Sequence, residues 1–173
     1  LPLLERIIAF CCIEGVIFSS AFAGIYFVKR RNILPALTKA NEWIARDEAL
    51  HTRFGVHIYH VFTQRLNKFP LVSETRVHEI VRSAVTVNEL FTRNALKTDL
   101  VGLNANDMMS YVYNTADKLC ESLGYSNIYN IPNRLDWMLI ISLPNKTNFF
   151  ESKVSEYARQ QVVEDELDMD CPC

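Results

Sequence analysis

The sequence predicts an all-α fold, a helical bundle, on three observations. Hydrophobic residues make up 49% of the 173, with only 5 Gly and 6 Pro. That is enough apolar material for a core and too few breakers for a β-sandwich. Residues 3–28 form a nearly unbroken apolar run, the mark of a helix in a protein interior. Start and stop residues (Pro35, Ser73, Gly124) then recur at helical spacing. The length suits one domain.

The elements follow in order. The run 3–28 reads as one long helix, closed by K-R-R-N at 29–32, whose cations suit the negative end of the helix dipole. Pro35 opens a second helix reaching about Leu66, and Asn67–Val72, with Pro70, breaks it. Ser73 caps a third helix through about Asn94, with Glu74 favouring its first turn. Leu100–Asn104 is a turn, and a fourth helix covers about 105–123 and stops at Gly124. Residues 125–142 are aromatic and irregular, and Asn148–Gln161 is expected to hold a short helix. The stretch E-D-E-L-D-M-D at 164–170 carries five acids in seven residues and reads as disordered until something binds it. The expected organisation is a domain over 1–161 and a flexible acidic tail over 162–173.

Composition excludes some partners. A net charge of −2 gives no basic footprint for nucleic acid. Ile7–Val28 is apolar enough to raise a membrane span. Glu14 in its middle and Arg6 near its start favour a buried bundle helix, because a carboxylate at a bilayer centre is costly. Neither nucleic acid nor membrane is expected as a partner. Five cysteines, an odd number, point to a reducing compartment, so the expected location is cytoplasmic. The chain begins at Leu1, in mid-pattern, and reads as a piece of a longer protein.

The chemistry concentrates in W-I-A-R-D-E-A-L-H at 43–51. Glu48 and His51 form Glu-x-x-His, and positions three apart share a helix face. A carboxylate and an imidazole can then reach one metal ion. In ferritin-like di-iron bundles this unit recurs on two helices, and a lone Glu comes from each of two others. Glu14 strengthens the reading. It lies 17 residues before Arg31, where the first two helices turn, and Glu48 lies 17 after it. Each carboxylate is then about 25 Å from the turn, so antiparallel packing brings them to one height. Buried charges need partners, and a cation serves both. A solvated face or a helix-end ion pair is the competing reading, but C-C-I-E-G-V-I-F around Glu14 offers no polar face. Carboxylate oxygens with few imidazoles suit Fe(II) or Mn(II).

Around these residues, Phe18 and Phe22 follow Glu14 by four and eight, and Ile44 precedes Glu48 by four. They form either an apolar wall beside the metal or ordinary core. Asp47 cannot share Glu48's direction, but it can accept a hydrogen bond from a ligand imidazole on another helix. Arg46 is a surface cation or a charge partner. His57 and His60 read as surface or helix-end residues, and His78 has no partner in reach along the sequence. Cys171-Pro172-Cys173 is a weak signal for metal binding or thiol exchange.

Three separated segments carry a family resemblance. E-R-I-I-A-F-C-C-I-E-G-V-I-F-S-S-A-F resembles a helix with the motif E-G-I-F-F-S-G-S-F. K-R-R-N-I-L-P-A-L-T-K-A-N-E-W-I-A-R-D-E-A-L-H resembles K-x-R-G-L-M-P-G-L-x-x-S-N-E-x-I-x-R-D-E-G-L-H. N-K-T-N-F-F-E-S-K-V-S-E-Y resembles K-T-N-F-F-E-x-R-V-x-E-Y. The chain thereby resembles the C-terminal half of the small, radical-bearing subunit of class I ribonucleotide reductase, in its eukaryotic and large-DNA-virus branch.

That resemblance implies a ferritin-like di-iron bundle and a role in reducing ribonucleoside diphosphates. Glu14, Glu48 and His51 match metal ligands, mainly of the second of two irons in an Fe–O–Fe centre. Asp47 matches the acid that links a ligand His of the first iron to a Trp on the radical-transfer route. Phe18, Phe22 and Ile44 match the pocket around the radical tyrosine, and Tyr157 matches the tail tyrosine that relays the radical. The acidic end matches the peptide that docks on the large subunit, and the small subunit is expected to form a homodimer. The chain departs from the family pattern in four places. An Asp, a first Glu-x-x-His, the radical Tyr and the relay Trp are absent; Glu74 and His78, spaced by four on another helix, do not replace them. Ala21 stands where the family has Ser, and Ser20 where it often has Gly. The tail has L-D-M-D and then Cys171-Pro172-Cys173 where the family commonly ends in L-D-x-D-F. Two rivals remain: another di-iron oxidase, hydroxylase component or ferritin, and a metal-free structural or regulatory bundle.

Overall fold

The structure is a computed structural model that describes residues 2–141, with the backbone alone at 139–141. Tyr157, the expected helix over Asn148–Gln161, the acidic tail, Cys171 and Cys173 lie outside the described residues. Within them the chain is helical, and the ladder is limited to one isolated bridge between Leu100 and Leu103.

The apolar run is not one uniform helix. It forms α1 (Leu3–Cys12), a π turn (Ile13–Ile17) and α2 (Ser19–Lys29). By length and composition Leu3–Lys29 could cross a membrane. In this fold it packs against three other helices, with Ile8, Cys11, Val16 and Ala23 fully buried. The following turn passes through two left-handed residues, Asn32 (φ 53°) and Leu34 (φ 54°). Pro35 then opens α3 (Pro35–His60), where its fixed φ and missing N–H cost nothing. A second π turn, Val61–Arg65, carries α3 to the expected break.

α4 (Glu74–Ala95) starts where the sequence predicts, with Ser73 Oγ accepting from the Arg76 N–H at 3.4 Å. α5 (Ala105–Leu123) starts at Asn104, whose Oδ1 accepts from the Asp107 N–H at 2.8 Å. It ends on Gly124, whose φ of 87° suits a residue without Cβ. The main core joins α1, the first π turn, Tyr59 of α3, the valines of α4 and the buried face of α5. A second cluster joins Ala23, Tyr26 and Phe27 of α2 to Leu103, Met108, Leu135 and Met138.

The stretch after α5 is more ordered than its sequence suggests. Asp117, buried on α5, accepts three backbone N–H groups: Ile128 at 2.8 Å, Tyr129 at 3.0 Å and Asn130 at 2.7 Å. A carboxylate can satisfy several donors at once, so one side chain organises a segment without regular structure. A short helix, α6 (Asp136–Ile141), follows where irregular chain is expected. His60 is the last residue of α3, a helix-end place as expected, and His78 finds its carbonyl partner far along the chain. The Nε2 of His60 bonds the Ser122 carbonyl at 2.8 Å, and that of His78 bonds the Ser126 carbonyl at 3.0 Å. These partners come from distant sequence, which no local pattern reveals. His57 is exposed, as expected.

Candidate metal centre

Glu14 sits on the first π turn; Glu48 and His51 sit one turn apart on α3. The helices bring them together. His51 Nδ1 lies 2.9 Å from a Glu48 oxygen and 3.3 Å from a Glu14 oxygen. One ligand atom from each residue falls within 4.8 Å of the others. The equal-height argument from the turn at Arg31 therefore holds.

Two glycines let the helices that carry this cluster approach. A Cβ on Gly15 would lie 3.0 Å from Thr52 Cγ2, and one on Gly55 only 2.5 Å from Cys11 Sγ. Thr52 turns its hydroxyl back to the Glu48 carbonyl at 2.9 Å, and both its methyl and its hydroxyl lie against Gly15. Sequence reasoning missed both glycines. The signal was a small residue beside each helix's contact face.

The electrostatics are those of a site built for positive charge. Hydrogen bonding to Glu48, then burial, raises the Glu14 carboxyl above the ordinary range, against the pull of His51. Glu48 is held below that range by Glu14 and by His51, with burial opposing. The His51 imidazole is raised by its hydrogen bonds to Glu48 and Glu14. Two converging carboxylates resist ionising together, which raises Glu14, while their negative charge favours the protonated imidazole of His51. A hard divalent cation fits this donor set, displacing the protons. Three side chains leave the coordination of such an ion incomplete, so further donors must come from elsewhere.

Of the other expected site residues, Phe18 and Phe22 meet edge to face with ring centroids 6.3 Å apart. Phe18 is 39% and Ile44 50% exposed, and Asp47 and Arg46 face outward. Phe18 and Ile44 thus stand at the surface of the described chain, while Phe22 is half-buried against the second core cluster.

Comparison with known proteins agrees with this geometry. Residues 1–134 match the family model described as "Ribonucleotide reductase, small chain". The ribonucleoside-diphosphate reductase small chain of Nicotiana tabacum is 43% identical over 159 residues, covering 92% of this chain and 46% of that protein. Subunit M2 of the Mesocricetus auratus reductase is 39% identical over 166 residues, covering 96% and 42%. The chain spans about half the length of the curated relatives it matches. Among solved structures, a putative class I ribonucleotide reductase from Bacillus halodurans aligns with a TM-score of 0.69 at 27% identity, covering 78% of this chain and 44% of that one. The Rnr4 homodimer of Saccharomyces cerevisiae aligns with a TM-score of 0.66 at 25% identity, covering 89% and 44%. The bundle is therefore ferritin-like, and the chain belongs to the ribonucleotide reductase small-chain family.

Proposed function

We propose that this chain supplies one half of a two-metal carboxylate centre in the small subunit of a ribonucleoside-diphosphate reductase. The other half comes from protein outside the chain. The observation that carries this reading is the convergence of Glu14 with Glu48 and His51, in a member of this family.

Glu14, Glu48 and His51 hold the metal, iron first and manganese as the alternative with the same ligand preference. When bound, the irons supply the oxidation of a tyrosine outside this chain, with O₂ as the electron acceptor. The chain's own residues prepare that chemistry. As ligands, Glu14, Glu48 and His51 would bind the cation in their deprotonated forms, so protons would leave on loading. Phe18, Phe22 and Ile44 close the tyrosine's pocket and keep water from the radical. Asp47 accepts a hydrogen bond from a ligand imidazole of the partner half-site and fixes its orientation. Tyr157 passes the radical on, and the acidic tail docks on the large subunit, where the ribonucleotide is reduced. The small subunit acts as a homodimer in the cytoplasm. No Gly-rich phosphate loop is present in the sequence, which suits a subunit that makes the oxidant and does not bind the nucleotide.

The test uses the assembled protein, meaning this chain joined to the polypeptide that completes the site. After anaerobic Fe(II) loading and exposure to O₂, about two irons per chain are expected, with a tyrosyl radical signal by electron paramagnetic resonance. A protein with neither iron nor radical would be the metal-free bundle instead.

A further inference from the structure

α4 carries an amide where its pattern calls for an apolar residue. Its buried face runs Val77, Val81, Ala84 and Val85, then Asn88 and Thr92. Asn88 is fully buried. A polar group in such a place is costly unless its hydrogen bonds are made.

Asn88 makes them, and nearly all go to one spot. Its Nδ2 donates to the Val16 carbonyl at 2.7 Å, to the Ile17 carbonyl at 3.1 Å and to Ser19 Oγ at 3.3 Å. Ser19 Oγ donates to the same Val16 carbonyl at 2.7 Å. On the other side, Thr92 Oγ1 donates to Asn88 Oδ1 at 3.0 Å, which fixes which end of the amide faces the carbonyls. Val16 and Ile17 are the last residues of the π turn that bears Glu14.

A π turn inserts one residue into a helix and misaligns the carbonyls at its edge with the N–H groups that would donate to them in an α-helix. In a buried helix those carbonyls need donors from elsewhere. Asn88 and Ser19 provide them. Without them the run would relax toward a continuous α-helix, and losing the inserted residue would rotate Glu14 about 100° relative to α2.

We propose that Asn88 is a positioning residue for the metal site: by holding the Val16 and Ile17 carbonyls it stabilises the π turn that aims Glu14 at Glu48 and His51. The inference rests on Glu14 being a metal ligand. Asn88 touches neither metal nor substrate and acts through the backbone of the turn.

The experiment measures Mn(II) affinity of the assembled protein, from the paramagnetic resonance signal of free Mn(II), at a temperature where circular dichroism shows each variant folded. Asn88→Leu should weaken binding about 10- to 100-fold, the usual effect of losing support behind a ligand. Val81→Ala removes buried volume from the same helix without touching the π turn and should leave affinity within about twofold. Equal affinities for Asn88→Leu and wild type overturn the proposal. So does an equal loss in Val81→Ala, since that reports only a loosened helix. If Asn88→Leu does not fold, Ser19→Ala decides: a few-fold loss supports the proposal and unchanged affinity overturns it. A wild-type protein that takes up no Mn(II) overturns the ligand reading of Glu14 itself, and the proposal with it, and is recognised by that failure in wild type.

Discussion

The pair α4–α5 and the pair formed by the α1–α2 run with α3 are built from the same helical material by opposite rules. α4 and α5 begin on side-chain caps, Ser73 and Asn104, and α5 stops on a left-handed glycine. Their turns stay α-helical throughout. The other pair has no side-chain cap at any of its helix starts, carries both π turns, and crosses so closely that two glycines are required. It also puts two carboxylates and an imidazole within reach of each other. Helix ends follow local rules in the first pair, and those rules are broken in the pair that brings the carboxylates and the imidazole together.

Substitutions can break or sharpen that contrast. The largest effect is expected in the irregular pair. Glu48→Ala or His51→Ala in the assembled protein should abolish iron loading while leaving the helical circular dichroism signal intact, and normal iron content would refute the ligand assignment. Next comes the keystone of the regular pair. Asp117→Ala leaves three backbone N–H groups without their acceptor and should cost about 3 kcal/mol, read as a lower denaturation midpoint. A loss under about 1 kcal/mol would mean that water replaces the carboxylate. Gly55→Ala forces a methyl against Cys11 Sγ and should cost about 1–3 kcal/mol, and it should also weaken metal uptake. The smallest effect is Asn104→Ala, which removes one cap for about 1 kcal/mol and should leave metal uptake unchanged. If Gly55→Ala and Asn104→Ala affected metal uptake alike, the contrast between the two pairs would fail.

The same contrast explains what could be read from the sequence. Ser73, Asn104 and Gly124 announce their helix ends because a cap is a local event, decided within a few residues. The height of Glu14 and Glu48 was legible because a helix converts residue number into distance at a fixed rate. The π turn at Ile13–Ile17 was not, since I-E-G-V-I reads as any apolar helix and its stabilising amide lies 72 residues away. The same applies to His60 and His78, whose carbonyl partners are 62 and 48 residues distant. α6 was missed because its order follows from packing of Leu135 and Met138 in the second core cluster, which no sequence period marks. The roles expected for Tyr157 and the acidic tail lie outside the described residues.

The protonated state of the triad has a consequence for how the site fills. Glu14, whose carboxyl is raised by Glu48 and by burial, and His51, whose imidazole is raised by Glu48 and Glu14, hold their protons more firmly than free side chains do. Loading is then an exchange reaction. Each cation that enters expels protons, so a weakly buffered solution should acidify in step with uptake, and acid should drive the ion back out. The pH of the surroundings acts on this centre as a competitor for its ligands.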